Sequence, residues 1–295
     1  FRTYEGRHRA AANLLEHGID HLVVIGGDGS LSGTHEFRGE WAQHVAELAA
    51  EGVISPETAA EHPALIIVGL VGSIDNDMVG TDMTIGADTA LHRILDAIDQ
   101  LTSTAASHQR TFVVEVMGRH CGYLPLMAAV AGGADYVFTP EDPAGPGWQD
   151  ELAEHLRLGR EAGRRESIVL VAEGAHDRDG NELSTQLIAD TIQERTGEDA
   201  RVTILGHVQR GGTPSAYDRW MSTLLGYAAV QEILASSAED EPVILGVRRN
   251  RITRIPLMKA VHDTRAVKDL IAAGDYAAAQ ASRGSSFSSM VGINQ

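Results

Sequence analysis

The chain has 295 residues, 43% of them hydrophobic, and a formal net charge of −17. That is ample for a large core in one or two domains, and the acidic excess argues against general binding of nucleic-acid phosphates, which needs surplus Lys and Arg. A single cysteine, Cys121, excludes an intrachain disulfide, and no membrane-length apolar stretch or basic-then-apolar leader is found, so a cytoplasmic protein is expected.

Phe1 stands where a start methionine would, which suggests a processed or fragmentary chain. Val- and Ile-rich runs near 22–25, 65–70, 111–116, 135–139, 167–172, 201–205 and 242–247 predict strands, with helices between most of them. Such alternation predicts an α/β fold of parallel βαβ units.

The first run, Leu22 to Ile25, leads into Gly26-Gly27-Asp28-Gly29-Ser30. Open α/β sheets bind ligands at strand carboxyl ends, and glycine lets a phosphate approach the backbone. Asp28, expected at the end of a buried strand, needs a cation beside it, either a nucleotide-bound Mg²⁺ or a structural salt-bridge partner. Residues 35–62 are helical and charged, with Ser55 as an N-cap before Pro56, and read as an inserted helical hairpin.

The second run ends near Gly72-Ser73-Ile74-Asp75-Asn76-Asp77, where two carboxylates two residues apart can face one site with Ser73 beside them. One aspartate accepting a hydroxyl proton while the other orients metal or backbone would suit phosphoryl transfer to an alcohol; simple turn formation by Asp and Asn is the alternative. Ile94, Leu95, Ile98 and Leu101 recur at helical spacing from Gly86 through Ala106, so a helix follows with its N-terminus toward that loop.

Arg110 precedes the strand at 111–116 and Met117-Gly118-Arg119-His120-Cys121-Gly122 follows it, so one arginine lies at each end. Both ends cannot serve one site; Arg110 is either a solvated surface residue or reaches a neighbour's substrate in a symmetric assembly. Pro140 to Gly147 is a breaker-rich loop, and Glu173 closes the next strand, positioned for sugar hydroxyls or for a salt bridge. Arg201 and Gly206-His207-Val208-Gln209-Arg210-Gly211-Gly212 repeat the arrangement, and an arginine fork with a histidine suits a sugar phosphate.

Together with Gly80 to Gly86 and Ser107 to Arg110, these strings resemble the ATP-dependent 6-phosphofructokinases, and the inserted segment with Val71 to Asp77 is most similar to the N-terminal half of the large eukaryotic-type enzymes. The resemblance implies two Rossmann-like three-layer α/β domains with the active site in the cleft between them. Residues 1–86 with 209–258 would form the ATP side, and 87–208 with 259–295 the fructose 6-phosphate side. It implies transfer of the γ-phosphate of Mg·ATP to the 1-hydroxyl of fructose 6-phosphate.

By the same carry-over Asp75 would be the base, with Arg119 and Ser73 completing the catalytic set. Ser73, Asp75, Asp77, Met117, Gly118, Arg119 and Glu173 would surround the sugar, and His207 and Arg210 would hold its 6-phosphate. Arg110 and Arg201 would act across an interface in a homo-oligomer. Gly27, Asp28, Gly29, Ser30 and Gly72 would serve the nucleotide, and Asp28 and Asp77 the Mg²⁺. Diphosphate-using relatives generally carry aspartate at Gly29 and lysine at Gly72, so both glycines favour ATP. The family's first strand and an arginine ahead of Phe1 are absent, so an exposed strand edge and a chain crippled in isolation are expected.

Two rivals remain at this point: a non-catalytic, effector-binding half of a duplicated phosphofructokinase, which usually lacks the base, and a lipid or NAD kinase sharing the Gly-Gly-Asp-Gly turn, which leaves Met117-Gly118-Arg119 unexplained. A dehydrogenase lacks support, because the Gly-x-Gly-x-x-Gly spacing is not found.

Overall fold

A computed structural model describes residues 1–294. In chain order the elements are α1 (Tyr4–Glu16), β1 (His21–Gly26), α2 (Asp28–Ala50), α3 (Pro56–Glu61), β2 (Ile66–Val71), α4 (Ala87–His108), β3 (Thr111–Val116), α5 (Tyr123–Gly132), β4 (Tyr136–Phe138), α6 (Trp148–Glu161), β5 (Ser167–Ala172) and α7 (Thr185–Thr196). There follow β6 (Ala200–Ile204), a 3-10 turn (Gly206–Gln209), α8 (Ala216–Ala235), β7 (Val243–Arg248), β8 (Arg251–Pro256), α9 (Leu257–Ala272), α10 (Tyr276–Arg283) and α11 (Ser285–Asn294).

The chain divides into two compact units: residues 1–72, 80–83 and 220–264 form the first, and 73–79, 84–219 and 265–295 the second. The sequence reading draws its boundaries at 86, 208 and 258 instead. Ser73, Asp75 and Asp77 therefore belong with the second unit.

In the first unit the strand order is β1-β2-β7-β8, parallel except for the β7–β8 pair. Its core joins Ala11 and Leu15 of α1 to Phe37, Trp41, Val45 and Leu48 of α2 over Ile67 of β2. Residues 35–62 are helical with a break before Pro56, as expected, but the first helix, α2, already begins at Asp28 and runs unbroken to Ala50, and the second, α3, is short. Leu31, Phe37, Trp41, Val45 and Leu48 are all buried, and that stripe outweighs Gly33 and Gly39, each worth about 1 kcal/mol against a helix. The expected cap is present, Ser55 Oγ accepting from Thr58 N at 3.2 Å.

β1 is an edge strand whose Val23 and Ile25 are 39% and 62% exposed, and Asp28 opens α2 rather than ending a buried strand. β8 was not expected, because the turn that makes it, Arg249-Asn250, carries no glycine although both residues adopt positive φ of 51° and 59°.

In the second unit the order is β4-β5-β3-β6, all parallel. Side chains alternate between its faces with the period of two that a pleated strand imposes. Val113, Val169 and Val171 pack under α6 and α7, through Leu152, Leu156, Ile188 and Ile192. Val114, Val116, Ile168 and Leu170 pack under α4 and α5, through Ile94, Ile98, Leu124 and Ala128. Helices on both faces keep the loops at one set of strand ends in common register. Among the described residues no helix is long and apolar enough to cross a membrane.

Candidate active site

The carboxylate loop leaves β2 and enters the second unit at Ser73. Ser73 Oγ donates to Asp77 Oδ1 at 2.8 Å, Thr84 Oγ1 donates to the Ser73 carbonyl at 2.5 Å, and Asn76 Oδ1 accepts from Thr84 N at 2.8 Å. Asn76 adopts a left-handed φ of 50°, a conformation Asn tolerates better than most residues. The following helix, α4, is anchored by the buried Asp218, whose carboxylate accepts from the amides of Gly86 and Thr89, both at 2.8 Å. A negative group on a helix's first amides satisfies both their hydrogen bonding and the dipole.

Asp75 is thereby held 6% exposed, and its Oδ1 is buried with no hydrogen-bond partner. Its Oδ2 lies 3.9 Å from Arg119 Nε. Burial, then the charge of Asp77, pushes the Asp75 carboxyl up to about 6, against the pull of Arg119 and Arg210. A carboxylate ionised near neutrality yet eager for a proton is what a general base requires.

Arg119 comes from the loop after β3, and three contacts fix that loop. Glu173 Oε2 accepts from Arg119 N at 3.0 Å and from Gly118 N at 3.4 Å, while Gln209 Oε1 accepts from Met117 N at 2.9 Å. Two glycines permit the approach: a Cβ on Gly118 would lie 2.3 Å from the Cys121 carbonyl oxygen, and one on Gly174 equally close to the Arg119 carbonyl oxygen, at 2.3 Å. Arg119 adopts a φ of 53°, a left-handed conformation rare for a long side chain and common at ligand sites. Its side chain is 69% exposed, able to reach a ligand.

Sequence reasoning passed over two supports. Gln209 is buried and its Nε2 has no partner, so besides holding Met117 it has a donor to offer. Arg283, at the end of α10, donates to Glu141 Oε1, to the Asp77 carbonyl and to the His120 carbonyl at 2.8, 2.7 and 3.0 Å. The same Glu141 accepts from Gly122 N at 2.9 Å. This buried pair ties the carboxylate loop to the 117–122 loop, and a partner far along the chain leaves no local signal. His207 and Arg210 lie exposed on and just after the 3-10 turn that Gln209 anchors.

The structure therefore brings Ser73, Asp75, Asp77, Met117, Gly118, Arg119 and Glu173 together at the carboxyl end of the second sheet, with Arg210 near enough to draw on Asp75. Arg110 and Arg201 lie at the other end. Arg110 Nε and Arg201 NH2 both meet Asp199 Oδ2, at 2.7 and 2.9 Å. The six residues of β3 lie between Arg110 and the loop that carries Arg119, about 20 Å at the rise of a strand.

In the first unit Gly27 precedes α2 with no side-chain cap, leaving backbone amides at the N-terminus of a 23-residue helix, a natural seat for phosphate. A Cβ on Gly26 would fall 2.6 Å from Ser30 Cβ, whereas nothing lies within 4 Å of one on Gly27 or Gly29. At Gly72 a Cβ would sit 3.1 Å from Ile25 Cγ2, so a side chain there is crowded even before a ligand enters. Asp28 opens α2 in the first unit, and Asp77 follows Asp75 in the carboxylate loop of the second; each offers a carboxylate of the kind Mg²⁺ takes, the rest of its shell coming from substrate phosphates and water.

These features define an α/β protein of parallel-sheet units with ligand loops at strand carboxyl ends. The chain belongs to the phosphofructokinase family, whose model matches residues 1–233. It is 51% identical over 97% of its length to the human liver-type ATP-dependent 6-phosphofructokinase, and 50% identical over 97% to ATP-dependent 6-phosphofructokinase 1 of Caenorhabditis elegans. It covers 37% and 35% of those proteins, so it spans about a third of the length of the curated relatives it matches. The phosphofructokinase structure from Saccharomyces cerevisiae superposes with a TM-score of 0.97 at 49% identity, over 100% of this chain and 39% of that one.

The buried carboxyl has a thermodynamic consequence. Its folded pKa of about 6 exceeds the ordinary 3.8, so between those values the folded chain keeps a proton the unfolded chain has lost. Stability falls as pH rises through that window, and the cost, roughly 3 kcal/mol, is fully present above it. Asp75→Asn is expected to raise the melting temperature by several degrees at pH 7.5, with the gain vanishing below pH 4. An unchanged or lower melting temperature at pH 7.5 contradicts the burial argument.

Proposed function

We propose that the protein to which this chain belongs is an ATP-dependent 6-phosphofructokinase and that this chain carries its catalytic acceptor site. The reaction transfers the γ-phosphate of Mg·ATP to the 1-hydroxyl of fructose 6-phosphate, giving fructose 1,6-bisphosphate and ADP. The observation that carries the reading is the buried, unpartnered Asp75 Oδ1 beside Arg119. The names of the relatives at about half identity support it.

Asp75 receives the 1-hydroxyl proton as that oxygen attacks the γ-phosphorus and the bond to the β-bridging oxygen breaks. The exposed Arg119 offsets charge building on the equatorial oxygens. Ser73, Met117, Gly118 and Glu173 orient the sugar, and His207 and Arg210 bind its 6-phosphate. Gly27, Gly29, Ser30 and the α2 amides cradle the nucleotide phosphates, and Gly72 leaves room for the nucleotide that a bulkier residue would fill. Asp28 and Asp77 would hold the Mg²⁺, which supplies charge neutralisation at the phosphates. Gly29 and Gly72 favour ATP over diphosphate, and the presence of Asp75 disfavours a non-catalytic, effector-binding half. A glycolytic kinase of this kind works in the cytoplasm.

Arg110 and Arg201 bind a neighbouring chain's sugar phosphate in a homo-oligomer. The support is their place at the strand ends opposite Arg119, too far for the pocket of their own unit.

In the full-length parent enzyme Asp75→Asn is expected to lower kcat by about 10²–10⁴-fold with the KM for fructose 6-phosphate within a few-fold; near-normal turnover removes Asp75 as the base. Arg110→Ala is expected to raise the half-saturating concentration of fructose 6-phosphate at least tenfold in assembled enzyme while leaving that for ATP in place. An unchanged sugar midpoint defeats the assignment across the interface.

A further inference from the structure

We propose that His8, His44 and Glu47 form a Zn²⁺-type cation site that stitches α1 to α2, independent of the acceptor site. Among the described residues they are the group of three His, Cys, Asp or Glu side chains whose ligand atoms all lie within 4.8 Å of one another. His8 Nδ1 is 3.1 Å from His44 Nδ1 and 3.6 Å from Glu47 Oε2. Neighbouring ligands around tetrahedral Zn²⁺, at about 2.0–2.2 Å from the metal, stand roughly 3.3 Å apart. The two observed separations bracket that value.

The outer atoms strengthen the case. His44 Nε2 points at Glu40 Oε2 at 3.3 Å and His8 Nε2 at Glu51 Oε2 at 3.6 Å. A carboxylate at the remote nitrogen, as Glu40 stands behind His44, is the arrangement found behind metal-bound imidazoles, and it leaves the His44 Nδ1 facing His8. The two Nδ1 atoms meet at 3.1 Å, a separation that needs a proton or a cation between them.

The surroundings separate those two occupants. His44 is fully buried, with one ring nitrogen toward Glu40 and the other toward His8. Three carboxylates, Glu40, Glu47 and Glu51, ring the pair, and the nearby cation Arg7 is committed to Glu36 and Glu40. Tyr4 Oη donates to Glu47 Oε2 at 2.7 Å and Gln43 Nε2 to Glu47 Oε1 at 2.8 Å, aiming a carboxylate on α2 at the histidine on α1. His8 is 18% and Glu47 39% exposed, which leaves an entry path and room for a water as fourth ligand. Nitrogen-rich, borderline donors of this type select Zn²⁺ or Co²⁺ over Mg²⁺.

The test uses the assembled protein, stripped with chelator and dialysed, titrated with Zn²⁺ by calorimetry and with Co²⁺ by visible absorption. One equivalent per chain is expected, with the intense bands of four-coordinate Co²⁺ and a Zn²⁺-dependent rise in melting temperature of several degrees. His8→Leu is expected to weaken binding at least 100-fold and abolish the thermal shift, and Glu47→Gln to weaken it about 10–100-fold, while His92→Ala on α4 changes neither. His8 is the more exposed histidine, so its variant keeps the test open should His44→Leu fail to fold. No stoichiometric binding by the stripped protein, or equal affinity in His8→Leu, overturns the proposal and leaves an Nδ1–H···Nδ1 hydrogen bond.

Discussion

The second unit is organised around a carboxylate that burial penalises. Asp75 sits where its charge is poorly solvated, with one oxygen lacking any partner and a like charge two residues away. Such a group persists only where its surroundings leave it no other place. Here they do: Thr84 grips the loop from one side, and Arg283 holds the Asp77 carbonyl from the other. The Arg283–Glu141 pair is itself buried and reaches the 117–122 loop through Gly122 N and the His120 carbonyl. One ion pair thus fixes base and arginine relative to each other.

The same economy explains the glycines that flank the site. Gly118 and Gly174 stand where a methyl group would strike a carbonyl oxygen, so the loop after β3 and the loop after β5 touch backbone to backbone. Glu173 spends one oxygen on two amides of that loop, and Gln209 closes the third side at Met117. Arg119 is left with a fixed backbone and a mobile guanidinium. A preorganised backbone with an adaptable tip suits a charge that appears only as a phosphoryl group moves.

Much of this was readable in the residues. Parallel strands leave their carboxyl ends in register, so arginine after β3 and glutamate after β5 had to share one end of the second sheet, and Arg110 and Arg201 the other. What escaped was long-range or half-exposed. Arg283 meets Glu141 from 142 positions away, and nothing near either residue announces the pair. The Val and Ile of β1 suggest a buried strand, and only the expectation of an exposed strand edge agrees with its place at the sheet's margin. The helix pair over 35–62 was announced by its cap at Ser55 and Pro56, whereas the early start of α2 at Asp28 was not, because the glycines around it read as a loop. His8 and His44 drew no attention because thirty-five residues and a strand separate them.

The most direct test of this picture is the titration of Asp75 itself, followed through its carboxyl carbon by NMR in protein labelled at aspartate, with Asp75→Asn to assign the signal. A midpoint near pH 6 that moves when fructose 6-phosphate binds is the predicted result. A midpoint near 4, indifferent to the sugar, would mean that the carboxylate is solvated like any surface aspartate, and the account of a buried, waiting base would fail.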